Sequence, residues 1–297
     1  MLYRKLGKTG MNVSAVVYGG IVSTDADQAD SDRYVEWAIE QGVNYFDVAP
    51  TYGDAQLKLG NSLVPYRDEV YLACKTEART AREAERLFNE SRKLLHTDYF
   101  DNYQMHALSQ MSDIETAFGP GGIMELLPGL RELGQIRHIG ITAHSEEVAL
   151  EAIRRFDFDT VLFPFNWMMH RKHGMGSRLL ETAKKKGMGI LSMKSFVERK
   201  WDSEAERYSS RYPKSWCKPI DAENTEFGLA ALKYALSLGV DTLVPPGNFE
   251  SFSFVVNHIE ECLAHPYSAA DDALLNRKLV EMDGKEFFDS NSKSIHY

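Results

Sequence analysis

The chain has 297 residues, 43% of them hydrophobic, 26% charged and 11% aromatic, with a formal net charge of −9. That acidic balance argues against nucleic acid and anionic membranes as main partners, and no stretch nears the roughly 18–20 apolar residues that span a bilayer. Cys74, Cys217 and Cys262 are scattered without a CxxC pair, and MLYRKLGKTGMNV lacks the apolar core of a signal peptide, so a reducing, cytoplasmic location is expected.

In chain order, short β-type runs at 2–4 and 13–15 around Gly7 and Gly10 predict an N-terminal β-hairpin. Eight apolar runs follow, at 16–18, 45–48, 70–74, 103–105, 139–142, 160–165, 189–193 and 242–244. Between them lie amphipathic stretches at 32–41, 81–95, 122–133, 146–155, 177–186 and 226–238, many with apolar residues at i, i+3 and i+4. Gly42, Gly134, Gly187 and Gly239 stand just past four of them, where a left-handed residue commonly ends a helix. Strand–helix alternation with short links predicts a parallel sheet, and eight units in about 250 residues predict a closed (β/α)8 TIM barrel. No GxGxxG opens a helix, which argues against an open dinucleotide-binding sheet. Without a linker-like shift in composition, one barrel domain over 1–297 is expected, with a long loop at 195–225 and a C-terminal helical extension at 266–297.

A barrel places its chemistry at the C-terminal ends of its strands. The second run ends on Asp47 with Tyr52 five residues on, the third ends on Lys75 and the fourth on His106. An acid, an amine, an imidazole and a phenol thus converge on one rim. Hydride delivery to a carbonyl leaves an oxyanion that needs a proton; a free tyrosine is a poor acid at neutrality, and a nearby ammonium lowers its pKa. Lys75 suits that role, Asp47 would hold Lys75 charged, and His106 could hydrogen-bond the carbonyl oxygen. Spacing alone leaves this reading level with four unrelated structural residues. His144, His170 and His173 lack a cysteine or paired carboxylate to complete a metal site, so no metal is expected. The long loop carries Trp201 and Trp216, which with Trp167 are candidate walls of a substrate pocket.

These residues in this order resemble the aldo-keto reductase family. RKLGKTGMNVSAVVYGG, FDVAPTYGDAQLKLGNSL, VYLACKTEAR, TDYFDNYQMHAL, IRHIGITAH and TLVPPGNFESFSFVVN carry the resemblance, which covers about residues 1–265. It implies that Asp47, Tyr52, Lys75 and His106 form the catalytic tetrad with Tyr52 as general acid/base. It further implies NADP(H) as usual cofactor and an aldehyde, ketone or sugar-like substrate. The cofactor-side positions it implies are Thr142, Ala143, Asn166, Met193, Lys194, Gly247, Asn248, Ser253 and Asn257. Several depart from the family pattern: Ala143 replaces an amide, Leu162 a glutamine, and Met193 an aromatic ring. PPGNFESFSFVVN has no basic residue for a 2′-phosphate, and Glu250 would repel one, which makes NAD(H) a rival cofactor. Two alternatives to net oxidoreduction stay open: an epimerase or lyase that retains its cofactor, and a non-catalytic nicotinamide-binding regulatory subunit. The sequence carries no sign of oligomeric state.

Overall fold

The computed structural model describes residues 1–286, so 287–297 of the expected C-terminal extension lie outside the described residues. Strands β1 (Tyr3–Lys5) and β2 (Asn12–Ser14) form the N-terminal hairpin, with Arg4 opposite Val13. The barrel runs through β3 (Tyr18–Gly19), β4 (Tyr45–Asp47), β5 (Tyr71–Thr76), β6 (Phe100–Leu108), β7 (Ile136–Ala143), β8 (Thr160–Phe163) and β9 (Gly189–Met193). A small antiparallel ribbon, β10 (Val197–Arg199) and β11 (Lys218–Pro219), lies within the long loop, and β12 (Thr242–Val244) is the last barrel strand. All eight barrel strands pair in parallel in the order β12-β9-β8-β7-β6-β5-β4-β3. Val16, just ahead of β3, bridges Leu243 and closes the ring, with Val17 N donating to Leu243 O at 2.8 Å. The structure is the (β/α)8 barrel expected from the sequence, with helices at its C-terminal end such as Ala269–Glu281.

The flanking helices bury one stripe each. Ala81–Leu94 hides Ala84, Phe88 and Ser91, and Ser177–Lys185 hides Leu179, Leu180 and Ala183. Such three- and four-residue spacing puts an apolar face on the sheet. Inside the ring the hairpin seals one end: Leu6, Met11 and Val13 pack with the strand residues Val17, Tyr45, Ala73, Leu162 and Leu191. No helix among the described residues is long and apolar enough to cross a membrane.

Because side chains alternate along a strand, one set faces the barrel interior: Tyr45 and Asp47, Ala73 and Lys75, Asn102, Gln104 and His106. Above the apolar plug this interior becomes polar. Asn102 Nδ2 donates to Tyr45 Oη at 3.0 Å and to Thr160 Oγ1 at 2.9 Å, and Gln104 Nε2 donates to Asp47 Oδ1 at 3.0 Å. The polar side chains explain why the fourth run shows only 103–105 as apolar, although β6 extends from Phe100 to Leu108. Gly140 on β7 makes room for this tier: a Cβ there would come within 2.1 Å of Thr160 Oγ1 and 3.0 Å of Gln104 Cγ. Gly140→Ala is therefore expected to cost about 1–3 kcal/mol by overpacking, read as a lower urea midpoint. An unchanged midpoint would mean that the tier yields freely.

Candidate active site

Asp47 closes β4, and the chain then turns sharply before helix Ala55–Leu63. Within that turn Tyr52 N donates to Ala49 O at 3.1 Å, and Thr24 Oγ1 donates to Tyr52 O at 2.9 Å. Gly53 takes φ 58°, which its missing Cβ permits. The phenol is thereby fixed over the barrel mouth. Lys75 is fully buried; its ammonium donates to Asp47 Oδ2 and, at 3.1 Å, to Tyr52 Oη. Burial disfavours the charged amine, but Asp47, Tyr52 and the hydrogen bonds to both outweigh it, so Lys75 sits above the ordinary lysine range. The lysine therefore stays an ammonium.

His106 approaches from β6 with its ring edge-on to that of Tyr52, centroids 5.7 Å apart. Immediately after it the β6–β7 register shifts, and Ala107 adopts φ 54° while donating its N–H to Thr142 Oγ1 at 2.7 Å. A bulge of this kind re-aims the strand end. Lys75 thus links Asp47 to Tyr52, whose ring in turn meets that of His106.

A cleft lies over them in two adjoining compartments that share Tyr52, Leu162, Met193, Lys194 and Trp216. The first, about 660 Å³ with the space open to solvent included, runs from Tyr52 past Gly19 to Pro245, Pro246 and Gly247, at the start of helix Phe249–Ala264. The second, about 440 Å³ on the same footing, adds Thr51, Glu77, His106, Thr142 and His144. Residues 214–217 of the long loop line the first compartment, and Lys214 Nζ donates to Thr24 O across the mouth. Trp216 stands 5.4 Å from the Tyr52 ring, centroid to centroid.

Of the positions expected to hold cofactor, Thr142, Met193, Lys194 and Gly247 line the cleft. Ala143 and Asn166 are buried outside both compartments; Asn166 Oδ1 accepts from Met168 N and Met169 N at 3.1 and 2.9 Å. Asn248 caps helix Phe249–Ala264 by accepting from Ser251 N at 2.7 Å, Ser253 Oγ donates back to Glu250 O, and Asn257 is exposed farther along. Among the candidate walls only Trp216 reaches the cleft. Trp167 is fully buried against Phe227 and donates to Val197 O at 2.8 Å, while Trp201 Nε1 donates to Ser215 O at 2.8 Å. His170, weighed as a metal ligand, shares a 2.8 Å hydrogen bond with Tyr234 Oη. Sequence reading passed over Gln104 and Glu77. The two-residue spacing of Gln104 from His106 was a usable signal for the first.

Both cleft histidines lie well below the ordinary histidine range: burial acts first on each, joined at His106 by Lys75, His144, Arg79 and Lys194, and at His144 by Lys194. A ring kept neutral in the fold binds its proton more readily once unfolded. Its contribution to stability is therefore complete above about pH 6.5 and falls as pH drops toward the folded value. Each ring is expected to add up to about 1.4 kcal/mol per pH unit to that fall, measured by urea unfolding between pH 7 and 5.5. His144→Asn should remove one such step, and an unaltered slope would contradict the assignment.

The family model for the Aldo/keto reductase family matches residues 15–245. The chain is 32% identical over 167 residues to aldo-keto reductase YhdN of Bacillus subtilis, covering 50% of this chain and 48% of that protein. It is 29% identical over 213 residues to L-galactose dehydrogenase of Arabidopsis thaliana, covering 64% and 63% respectively. It thus spans about half to just under two thirds of the length of these curated relatives. The holo structure of aldo-keto reductase AKR11C1 from Bacillus halodurans shares the fold, with a TM-score of 0.71 at 20% identity over 94% of this chain and 96% of that one. With its closed barrel and a family match over most of its length, the chain belongs to the aldo/keto reductase family.

Proposed function

We propose that the chain is an oxidoreductase that uses NAD(H) to interconvert a small carbonyl compound and its alcohol, with Tyr52 exchanging the proton. The observation that carries this reading is the 3.1 Å contact between Tyr52 Oη and an ammonium that also bonds a buried carboxylate. In reduction, Tyr52 donates its proton to the reacting oxygen. The phenolate left behind is stabilised by Lys75, which Asp47 keeps charged. In oxidation the same phenolate takes the alcohol proton. Gln104, donating to the other Asp47 oxygen, keeps that carboxylate aimed at Lys75. Trp216 and Leu162 shield the reacting centre from water, which strengthens each of these electrostatic contacts.

The residues present fit a nicotinamide dinucleotide. The first compartment is walled by Leu162, Met193, Val197 and Val244 beside Tyr52, and it leads to the positive end of a 16-residue helix, a natural seat for phosphate. Bound there, the dinucleotide supplies or accepts the hydride. Around that helix start Arg211 meets three carboxylates: Glu250, Asp221 at 3.3 Å and Glu223 at 3.6 Å. One guanidinium shared among three acids is poorly disposed to a 2′-phosphate, whereas a carboxylate readily accepts from a ribose hydroxyl. This favours NAD(H) over NADP(H), the usual choice of the family. The L-galactose dehydrogenase relative, named for a hydroxylated aldose, fits a small polar substrate.

Two outcomes test the reading. NADH is expected to quench tryptophan fluorescence at concentrations at least about tenfold below NADPH, a difference of about 1.4 kcal/mol; equal or tighter NADPH would return the chain to the family's usual cofactor. Tyr52→Phe is expected to lower kcat/KM by about 10²–10⁴ with dinucleotide binding unchanged. A variant as active as the parent would remove Tyr52 from the chemistry.

A further inference from the structure

Met193 closes β9 and lines both compartments of the cleft. Met105, Met168, Met169 and Met188 are buried in the core, whereas the Met193 side chain is only partly covered and faces the open cleft. Its sulfur has an uncommon neighbour. Successive strand residues point to opposite faces, so residue 194 would ordinarily turn away from residue 193. Lys194 instead takes φ 62°, a left-handed conformation that a lysine rarely adopts, and its Nζ donates to Met193 Sδ at 3.8 Å. A thioether is a weak acceptor, so this contact returns little for the strained backbone beside it. The result is an ammonium set beside a sulfur in a cleft that small solutes can enter.

We propose that Met193 is a site of reversible oxidation by hydrogen peroxide, assisted by Lys194, and that its sulfoxide weakens the seat for the dinucleotide. A sulfur lone pair attacks one peroxide oxygen, and the S–O bond forms as the O–O bond breaks. The proton of the transferred oxygen passes to the departing one, which leaves as water. Sulfur is oxidised and the peroxide reduced, so no further reactant is needed. The Lys194 ammonium donates first to the departing oxygen, where negative charge builds, and then to the sulfoxide oxygen, a better acceptor than the thioether. Both roles need the ammonium where the structure holds it. The product exchanges a flexible apolar group for a polar one. Met193 shares its wall with Leu162, Val197 and Val244, the apolar side of the compartment read above as the nicotinamide seat. A dinucleotide seated there covers the sulfur, so the empty chain is the sensitive form. The consequence for binding rests on the proposed function; the oxidation does not.

The test exposes the full chain, without dinucleotide, to hydrogen peroxide and follows oxygen uptake at each methionine by peptide mass spectrometry. Met111, 51% exposed on helix Met111–Phe118, is the surface reference. Met193 is expected to be oxidised about tenfold faster than Met111 although it is less exposed, the worth of one charge-assisted hydrogen bond. Lys194→Leu is expected to lose that advantage and Lys194→Arg to keep most of it. Met193 oxidised no faster than Met111, or Lys194→Leu oxidised as fast as the parent, overturns the proposal. Peroxide treatment is further expected to weaken NADH binding about tenfold, the scale of a sulfur–ring contact. Methionine sulfoxide reductase is expected to restore binding where a thiol alone does not, which separates Met193 from Cys217 in the same cleft. Met193→Leu is expected to bind NADH alike before and after treatment, and saturating NADH to slow oxidation of Met193 in the parent. Binding indifferent to Met193 oxidation, or oxidation indifferent to NADH, overturns the binding half. An untreated chain that binds neither NADH nor NADPH removes the proposed function and the binding half with it, while the peptide rates still decide the oxidation.

Discussion

A fully buried ammonium at the floor of the cleft constrains everything around it. Lys75 projects from β5 into the barrel, where an unpaired charge would cost several kcal/mol. Asp47 on the adjacent strand supplies the countercharge, and the parallel β4–β5 register sets Asp47 beside Ala73, one inward position below Lys75. The pair is satisfied further by Gln104 on the carboxylate and Tyr52 on the amine. Removing either partner would strand a charge and cost about 3–5 kcal/mol. The phenol is thus placed by the same bonds that keep the interior charges tolerable, so stability and the proposed chemistry share one network.

That network is possible because the barrel interior is graded. At the hairpin end Leu6, Met11 and Val13 fill the ring with hydrocarbon. One layer up, Asn102, Tyr45 and Thr160 form a hydrogen-bonded tier. Above it come the charged pair and the cleft, with residues 214–217 of the long loop across the top. Each layer rests on the one beneath through the two-residue alternation of the strands. The barrel therefore stiffens the site from below and leaves the loops to shape what enters from above.

Most of the barrel was legible because apolar runs and helical stripes are local signals. Asp47, Lys75 and His106 were legible too, as polar residues interrupting strand ends. The approach of Glu77 to within 3.5 Å of His106 was not, since it depends on the bulge at Ala107 and on Arg79, which donates to the main-chain carbonyls of both residues, and periodicity encodes neither. Aromatic identity also failed to separate Trp216 over the cleft from Trp167, which turns inward to Phe227. At the Gly247 end of the cleft, the lack of a basic residue was visible, but the arrival of Arg211 from the long loop, already engaged by three acids, belongs to tertiary structure.

The central claim, that this barrel mouth exchanges hydride beside Tyr52, is tested most directly by isotope transfer. The chain would be given NADH deuterated at the transferable C4 position together with glyceraldehyde, and the product examined by mass spectrometry. The account predicts one deuterium on the carbinol carbon with the parent chain and very little with Tyr52→Phe. Turnover that leaves no deuterium on that carbon would contradict it.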